Sequence, residues 1–138
     1  MEAAFEITRR RPGEKVAEQD ARRVGAMRRI ARAFLAYHRL PGMACPVMLI
    51  VSELVTNAIT HSGGSEVACT MQIQDDLLYF AVRSDVATVP SRAKAGDDDE
   101  HGRGLELVDL TVSGLGGTWG IGNDGTVWCL LPAKGAAQ

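Results

Sequence analysis

Glu53, Asn57 and His61 follow one another at four-residue intervals in a segment rich in Val, Leu and Ile. On a helical wheel of about 100° per residue, Asn57 stands about 40° and His61 about 80° from Glu53. Val51, Leu54, Val55, Ala58 and Ile59 fill the arc from about 100° to about 240°. One face is therefore core, and a carboxylate, an amide and an imidazole line the edge beside it. A carboxylate and an amide one turn apart can share a hydrated Mg²⁺, which prefers oxygen ligands and keeps several waters. The carboxylate can instead take a proton from a bound hydroxyl as a general base. A solvent-facing edge carrying an i,i+4 polar pair has the same spacing.

A second constellation is Gly102-Arg103-Gly104-Leu105, placed after a polar stretch and expected to open a helix. Glycines there let backbone N–H groups approach an anion, and a helix N-terminus adds favourable partial charge. A loop turn followed by a helix cap would use the same residues. Asp97-Asp98-Asp99-Glu100, just upstream, would repel phosphates unless turned to solvent.

The elements that must position these groups can be read from periodicity. Phe5 to Arg9 alternates apolar and polar residues and predicts a strand, broken by Arg11-Pro12-Gly13. Val24, Met27, Ile30, Ala31, Phe34 and Leu35 recur at helical spacing between Gln19 and Tyr37. Leu40-Pro41-Gly42 ends that helix, and a second is expected from Cys45 to His61, with Pro46 in its first turn and Gly63-Gly64 as its stop. Strands are expected over Glu66–Gln74 and Leu77–Arg83, joined by a tight turn at Asp75-Asp76. Residues 85–102 read as a long polar connection, of a length usually functional or disordered. A short helix over Gly104–Val112 and a hairpin, Gly116–Ile121 and Gly125–Leu131, complete the chain. The class is α+β: a two-layer sandwich with a mixed, mostly antiparallel sheet and helices on one face. It forms one domain over 1–138, with a strand and arm over about 1–15 and a tail over 133–138.

The 138 residues carry 15 Lys and Arg against 17 Asp and Glu, a net charge of −2 that excludes a strongly basic nucleic-acid binder. The charge is unevenly placed. Residues 1–39 hold ten Lys and Arg against five acids (+5), and residues 40–138 hold five against twelve (−7). The basic excess, which includes Arg22, Arg23, Arg28, Arg29 and Arg32, is either a solvated helix face or a surface for an acidic partner. No apolar run approaches the roughly 18 residues of a membrane span, and the first residues lack the pattern of a signal peptide. Cys45, Cys69 and Cys129 lack metal-ligand spacing and read as buried, reduced thiols. The expectation is a small cytoplasmic domain.

Ser52-Glu53-Leu54-Val55-Thr56-Asn57-Ala58-Ile59-Thr60-His61-Ser62 resembles the N-box of the Bergerat-fold ATP-binding superfamily of histidine kinases, gyrase and heat-shock chaperones. Gly102-Arg103-Gly104-Leu105-Glu106-Leu107-Val108 resembles its glycine-rich ATP-lid box, which puts the lid loop at 85–102. Trp119-Gly120 and Thr126-Val127-Trp128 are similar to the closing hairpin of one branch, the anti-sigma factor kinases and their actinobacterial relatives. The resemblance spans nearly the whole chain. It implies ATP and Mg²⁺ as cofactors, with Glu53 activating the nucleophile and Asn57 binding the metal. It implies nucleotide contacts at Asn57, His61, Gly102, Arg103, Gly104, Leu105 and Thr126, and at Ser84 or Asp85. Its partners would be an anti-anti-sigma protein, a sigma factor, or both, with a homodimer implied as well.

In that family the second strand of the central hairpin ends in an aspartate that accepts from the adenine amino group. Here the alternation of Leu78, Phe80 and Val82 puts Ser84 in that register, and Asp85 on the other face unless a bulge intervenes. A hydroxyl lacks the charge assistance of a carboxylate, an expected loss of about 1–3 kcal/mol. Two functions stay open: a serine/threonine kinase that phosphorylates an anti-anti-sigma partner, and a binding module of the same fold acting by contact alone. A histidine kinase fragment is disfavoured by the lack of a preceding phospho-acceptor helix.

Overall fold

A computed structural model describes residues 1–8, 15–61, 63–85 and 99–133, with the side chains of 99–103 left aside. The strands are β1 (Glu2–Glu6), β2 (Glu66–Gln74), β3 (Leu77–Ser84), β4 (Thr118–Ile121) and β5 (Val127–Pro132); the helices are α1 (Glu18–Tyr37), α2 (Ala44–His61) and α3 (Asp99–Gly114). A single turn of 3₁₀ helix, Pro41–Met43, joins α1 to α2. The strands lie in the order β1-β2-β3-β5-β4, and every pairing is antiparallel. The α+β sandwich expected from the sequence is the architecture observed. Its sheet is antiparallel throughout among the described residues.

Alternation explains the layering. Val67, Cys69 and Met71 of β2, Leu78, Phe80 and Val82 of β3, and Val127, Cys129 and Leu131 of β5 are buried under the helices. Met27, Ala31 and Leu35 of α1 and Val51, Leu54, Val55 and Ile59 of α2 meet them, with Leu105, Val108 and Val112 of α3. The 21 residues Pro41–His61, of mean hydropathy 1.6, are long and apolar enough to cross a membrane by length and composition, contrary to the sequence expectation. In this fold the apolar arc of α2 is spent on the core, between α1, α3 and β3.

The β2–β3 turn forms because Asp75 and Asp76 both take the left-handed conformation, with φ of 54° and 62°. That is the backbone of a two-residue type I′ turn, and Asp is among the few residues that tolerate it. The first strand lies earlier than the predicted Phe5–Arg9. Pairing with β2 fixes it at Glu2–Glu6, and Ile7 extends the contact through its N–H to the Ser65 carbonyl at 2.8 Å. Buried Asp20 accepts from the Thr8 N–H at 2.9 Å, so the start of α1 holds the end of this arm.

Three expectations are corrected. Helix α3 begins at Asp99, not Gly104. Gly102 and Gly104 therefore fall inside the helix. Cys69 and Cys129 are buried, and burial pushes both thiols up to about 12; Cys45, outside the apolar arc at the start of α2, is exposed. Ala133, assigned to the tail, is buried and donates its N–H to the Asp76 carbonyl at 2.8 Å. Of the expected arm, lid loop and tail, 9–14, 86–98 and 134–138 lie outside the described residues.

Candidate functional site

Helix α2 supplies the first half of the site. Ser52 is held from two sides: its hydroxyl donates to the Met48 carbonyl at 2.7 Å and accepts from Arg28 of α1 at 3.3 Å. Glu53 and Asn57 are half-buried, beside the fully buried Leu54 and Val55. Burial pushes the Glu53 carboxyl above the usual glutamate range, because desolvation disfavours its charged form. His61 is the last residue of α2 and is half-buried.

Helix α3 supplies the second half. A Cβ built on Gly104 would lie 3.0 Å from Oε2 of Glu53. A side chain at position 104 would thus press the carboxylate aside by a few tenths of an ångström. This corrects the anion-cradle expectation for Gly104. The four N–H groups that a helix leaves unbonded run from its cap residue through its third helical residue, and both Gly102 and Gly104 stand beyond them in α3. Leu105 buries its side chain in the core and anchors the helix there. Arg103 is placed on α3, but its side chain lies outside the described residues.

Ser84 pairs with Val67 in an unbroken β2–β3 register and shares the helix-side face of Leu78, Phe80 and Val82. No bulge turns Asp85 toward that face. The Asp85 carboxylate instead accepts from the Ser65 N–H at 2.8 Å, the Ser65 hydroxyl at 2.8 Å and the Glu66 N–H at 3.1 Å. These bonds hold its carboxyl down at about 2. Asp85 fastens the entry to β2. Thr126 belongs to the β4–β5 turn, where its N–H donates to Asp124 at 3.0 Å and its carbonyl accepts from Gly122 at 2.8 Å. The structure thus brings Glu53 against Gly104, and gives Leu105, Asp85 and Thr126 visible duties in the fold.

One further contact carries no obvious sequence signal. The Trp119 indole N–H donates to the Asp109 carboxylate at 2.8 Å and ties the second half of α3 to β4. Residues ten apart in different elements share no periodicity, so no spacing rule finds them.

Among the described residues, no group of three or more His, Cys, Asp and Glu could hold a metal ion. The half-buried Asn57 amide is the oxygen donor on α2 that would hold Mg²⁺ together with phosphate oxygens and water. Gly104 faces the half-buried Glu53 carboxylate, and Ser84 lies on the helix-side face at the end of β3.

No curated protein sequence matches the chain. The chain is similar in structure to the histidine kinase domain of a blue-light activated histidine kinase from Erythrobacter litoralis EL346. The TM-score is 0.55 at 18% identity, covering 90% of this chain and 65% of that one. The chain therefore spans about two thirds of that domain's length, and the likeness speaks to the fold. The sequence profile of the histidine kinase-like ATPase domain matches residues 17–113, most of the chain and all of α1, α2 and β2–β3. That match covers more than half of the chain, and the structural likeness agrees with its fold: the chain belongs to the histidine kinase-like ATPase domain family.

Proposed function

We propose that this domain is a cytoplasmic serine/threonine kinase of the anti-sigma type, which phosphorylates an anti-anti-sigma protein and sequesters a sigma factor. The observation that carries the kinase reading is the half-buried Glu53 carboxylate resting against Gly104. Bound ATP with Mg²⁺ would supply the phosphoryl group and its charge neutralisation. Glu53 takes the proton of an acceptor hydroxyl, and its partial desolvation raises its basicity for that task. Asn57, one turn further along α2, holds the metal. Ser84 accepts from the adenine amino group. Leu105, buried in the core, keeps α3 seated so that Gly104 stays beside Glu53.

A binding module of the same fold is the second reading, and the observation that favours it is Ser84. The commitment of Asp85 to Ser65 and Glu66 leaves no carboxylate on the helix-side face at the end of β3. Calorimetric titration with ATP, with and without Mg²⁺, separates the two readings. A kinase binds ATP at submillimolar concentration with a metal-dependent gain, and transfers label from γ-labelled ATP to its partner. A chain that binds no ATP at millimolar concentration is a binding module, and the kinase proposal falls.

A further inference from the structure

A groove of about 690 Å³ runs along the α1–α2 pair. Val24 and Ile59 form its apolar floor, and Arg22, Arg28 and Arg29 line it from α1. Among the described residues the ion pairs are Arg22–Glu18 and Arg83–Asp124. No described acid therefore answers Arg28 or Arg29, and the Arg22 pair is a solvent-exposed i,i+4 contact of little strength. Arg22 and Arg29 also border a second depression against the end of β1, together with Arg23. Arg22, Arg23, Arg28 and Arg29 are thus gathered along one ridge of α1, with apolar surface beneath them.

Gly25 is the second observation. It sits in the middle of α1, where glycine costs about 1 kcal/mol against alanine, and it lines this groove. A Cβ there would meet nothing closer than Arg29 Nη1 at 3.7 Å, so packing does not demand the glycine. Its effect is to keep the groove open.

We infer that the α1–α2 groove docks an acidic amphipathic helix of a partner protein. Apolar side chains of that helix would enter over Val24 and Ile59, past Gly25, while its flanking carboxylates meet Arg22, Arg28 and Arg29. A groove between two helices with an apolar floor and a charged rim is the geometry that takes such a helix, and the arginines set its sign and speed its approach. Thr56 and Thr60 line the far wall, each one residue before Asn57 and His61. The inference does not depend on nucleotide binding or transfer.

The test uses the full chain and three synthetic peptides of roughly five helical turns. One carries Leu at positions i, i+3, i+4 and i+7 with Glu on the flanks. The second replaces Glu by Lys, and the third replaces Leu by Ser. Fluorescence anisotropy should show the Glu–Leu peptide binding at least about tenfold more tightly than either control, with affinity falling as salt rises. Amide chemical shifts should move along α1 and the Thr56–Thr60 side of α2. Gly25→Leu should reduce binding about tenfold or more while the melting temperature stays level or rises, since leucine is the better helix former; Arg29→Glu should weaken it as well. Equal binding of the Lys peptide, equal binding of the Ser peptide, wild-type binding by Gly25→Leu, or no binding at millimolar concentration would each overturn the inference. So would capture by phosphatidylserine vesicles with no response to the peptide.

Discussion

Glu53 and Gly104 face each other across the α2–α3 boundary, 51 residues apart in sequence, so closely that a Cβ at position 104 would lie 3.0 Å from the carboxylate. The two motifs that the sequence presents separately thereby lie side by side. Gly104→Ala tests the relationship. Alanine is the better helix former by about 1 kcal/mol, so thermal stability should change by no more than about that amount. Its Cβ would press on Oε2, and phosphotransfer should fall about tenfold as the carboxylate is displaced. Melting curves and label transfer, measured on one preparation, check both halves.

Glu53→Gln should leave ATP affinity nearly unchanged and reduce transfer roughly 10²–10⁴-fold. The raised carboxyl adds a pH signature. Wild-type transfer should lose activity on its acid side above 4.5, the ordinary glutamate value, because the base must be ionised. That limb should be absent from the residual rate of the variant. The sign for folding is opposite to that of a salt-bridged acid. A carboxyl raised by burial favours the folded state at low pH and works against it as pH rises through the folded value. Glu53→Gln should therefore be no less stable than wild type at neutral pH, by urea unfolding.

Asn57→Ala should remove the metal-dependent part of ATP affinity and leave the affinity measured in a chelator unchanged. Calorimetry with and without Mg²⁺ reads this directly. An equal loss under both conditions would mean damage to α2 instead.

Ser84→Asp should tighten ATP binding by giving the adenine amino group a charged acceptor, and should turn away GTP, whose carbonyl would face the carboxylate. Titration of wild type and variant with both nucleotides checks it.

Asp85→Asn should act on the fold and leave ATP affinity alone. The depressed carboxyl stabilises the folded state above 3.8, its unfolded value, and that contribution is lost as pH falls through about 2. The stability gap between wild type and Asp85→Asn should therefore be present at neutral pH and close across that acid window. Urea unfolding at a series of pH values measures it.

Much of this was legible beforehand where one rule governs locally. The limits of α2 and β2 follow from hydrophobic period and from Pro46, Gly63 and the Asp75-Asp76 turn. The wheel position of Glu53 and Asn57 follows from the same period. Where two rules compete, the sequence alone misleads. Gly102 and Gly104 argue for a loop, Asp99 and Glu100 argue for a helix start, and packing of Leu105, Val108 and Val112 on the core decides for the helix. The placement of β1 depends on a partner strand some 65 residues away, which alternation within Phe5–Arg9 cannot report. The buried Asp20, the Asp85 clamp and the groove beside Gly25 are properties of assembled elements, and no window of sequence contains them.

The chain has two tryptophans, and the fold gives them unequal surroundings. Trp128 lies on the sheet face away from the helices, where its ring crowds the Cβ position of Gly120. Trp119 is half-buried and hydrogen-bonded to Asp109 on the helix that carries Gly104. Trp119 is thus a built-in optical gauge of α3: a Trp128→Phe chain would emit from one indole only. Any tilt of that helix when a nucleotide settles beside Glu53 would then register as a shift in wavelength or quenching, without an attached dye.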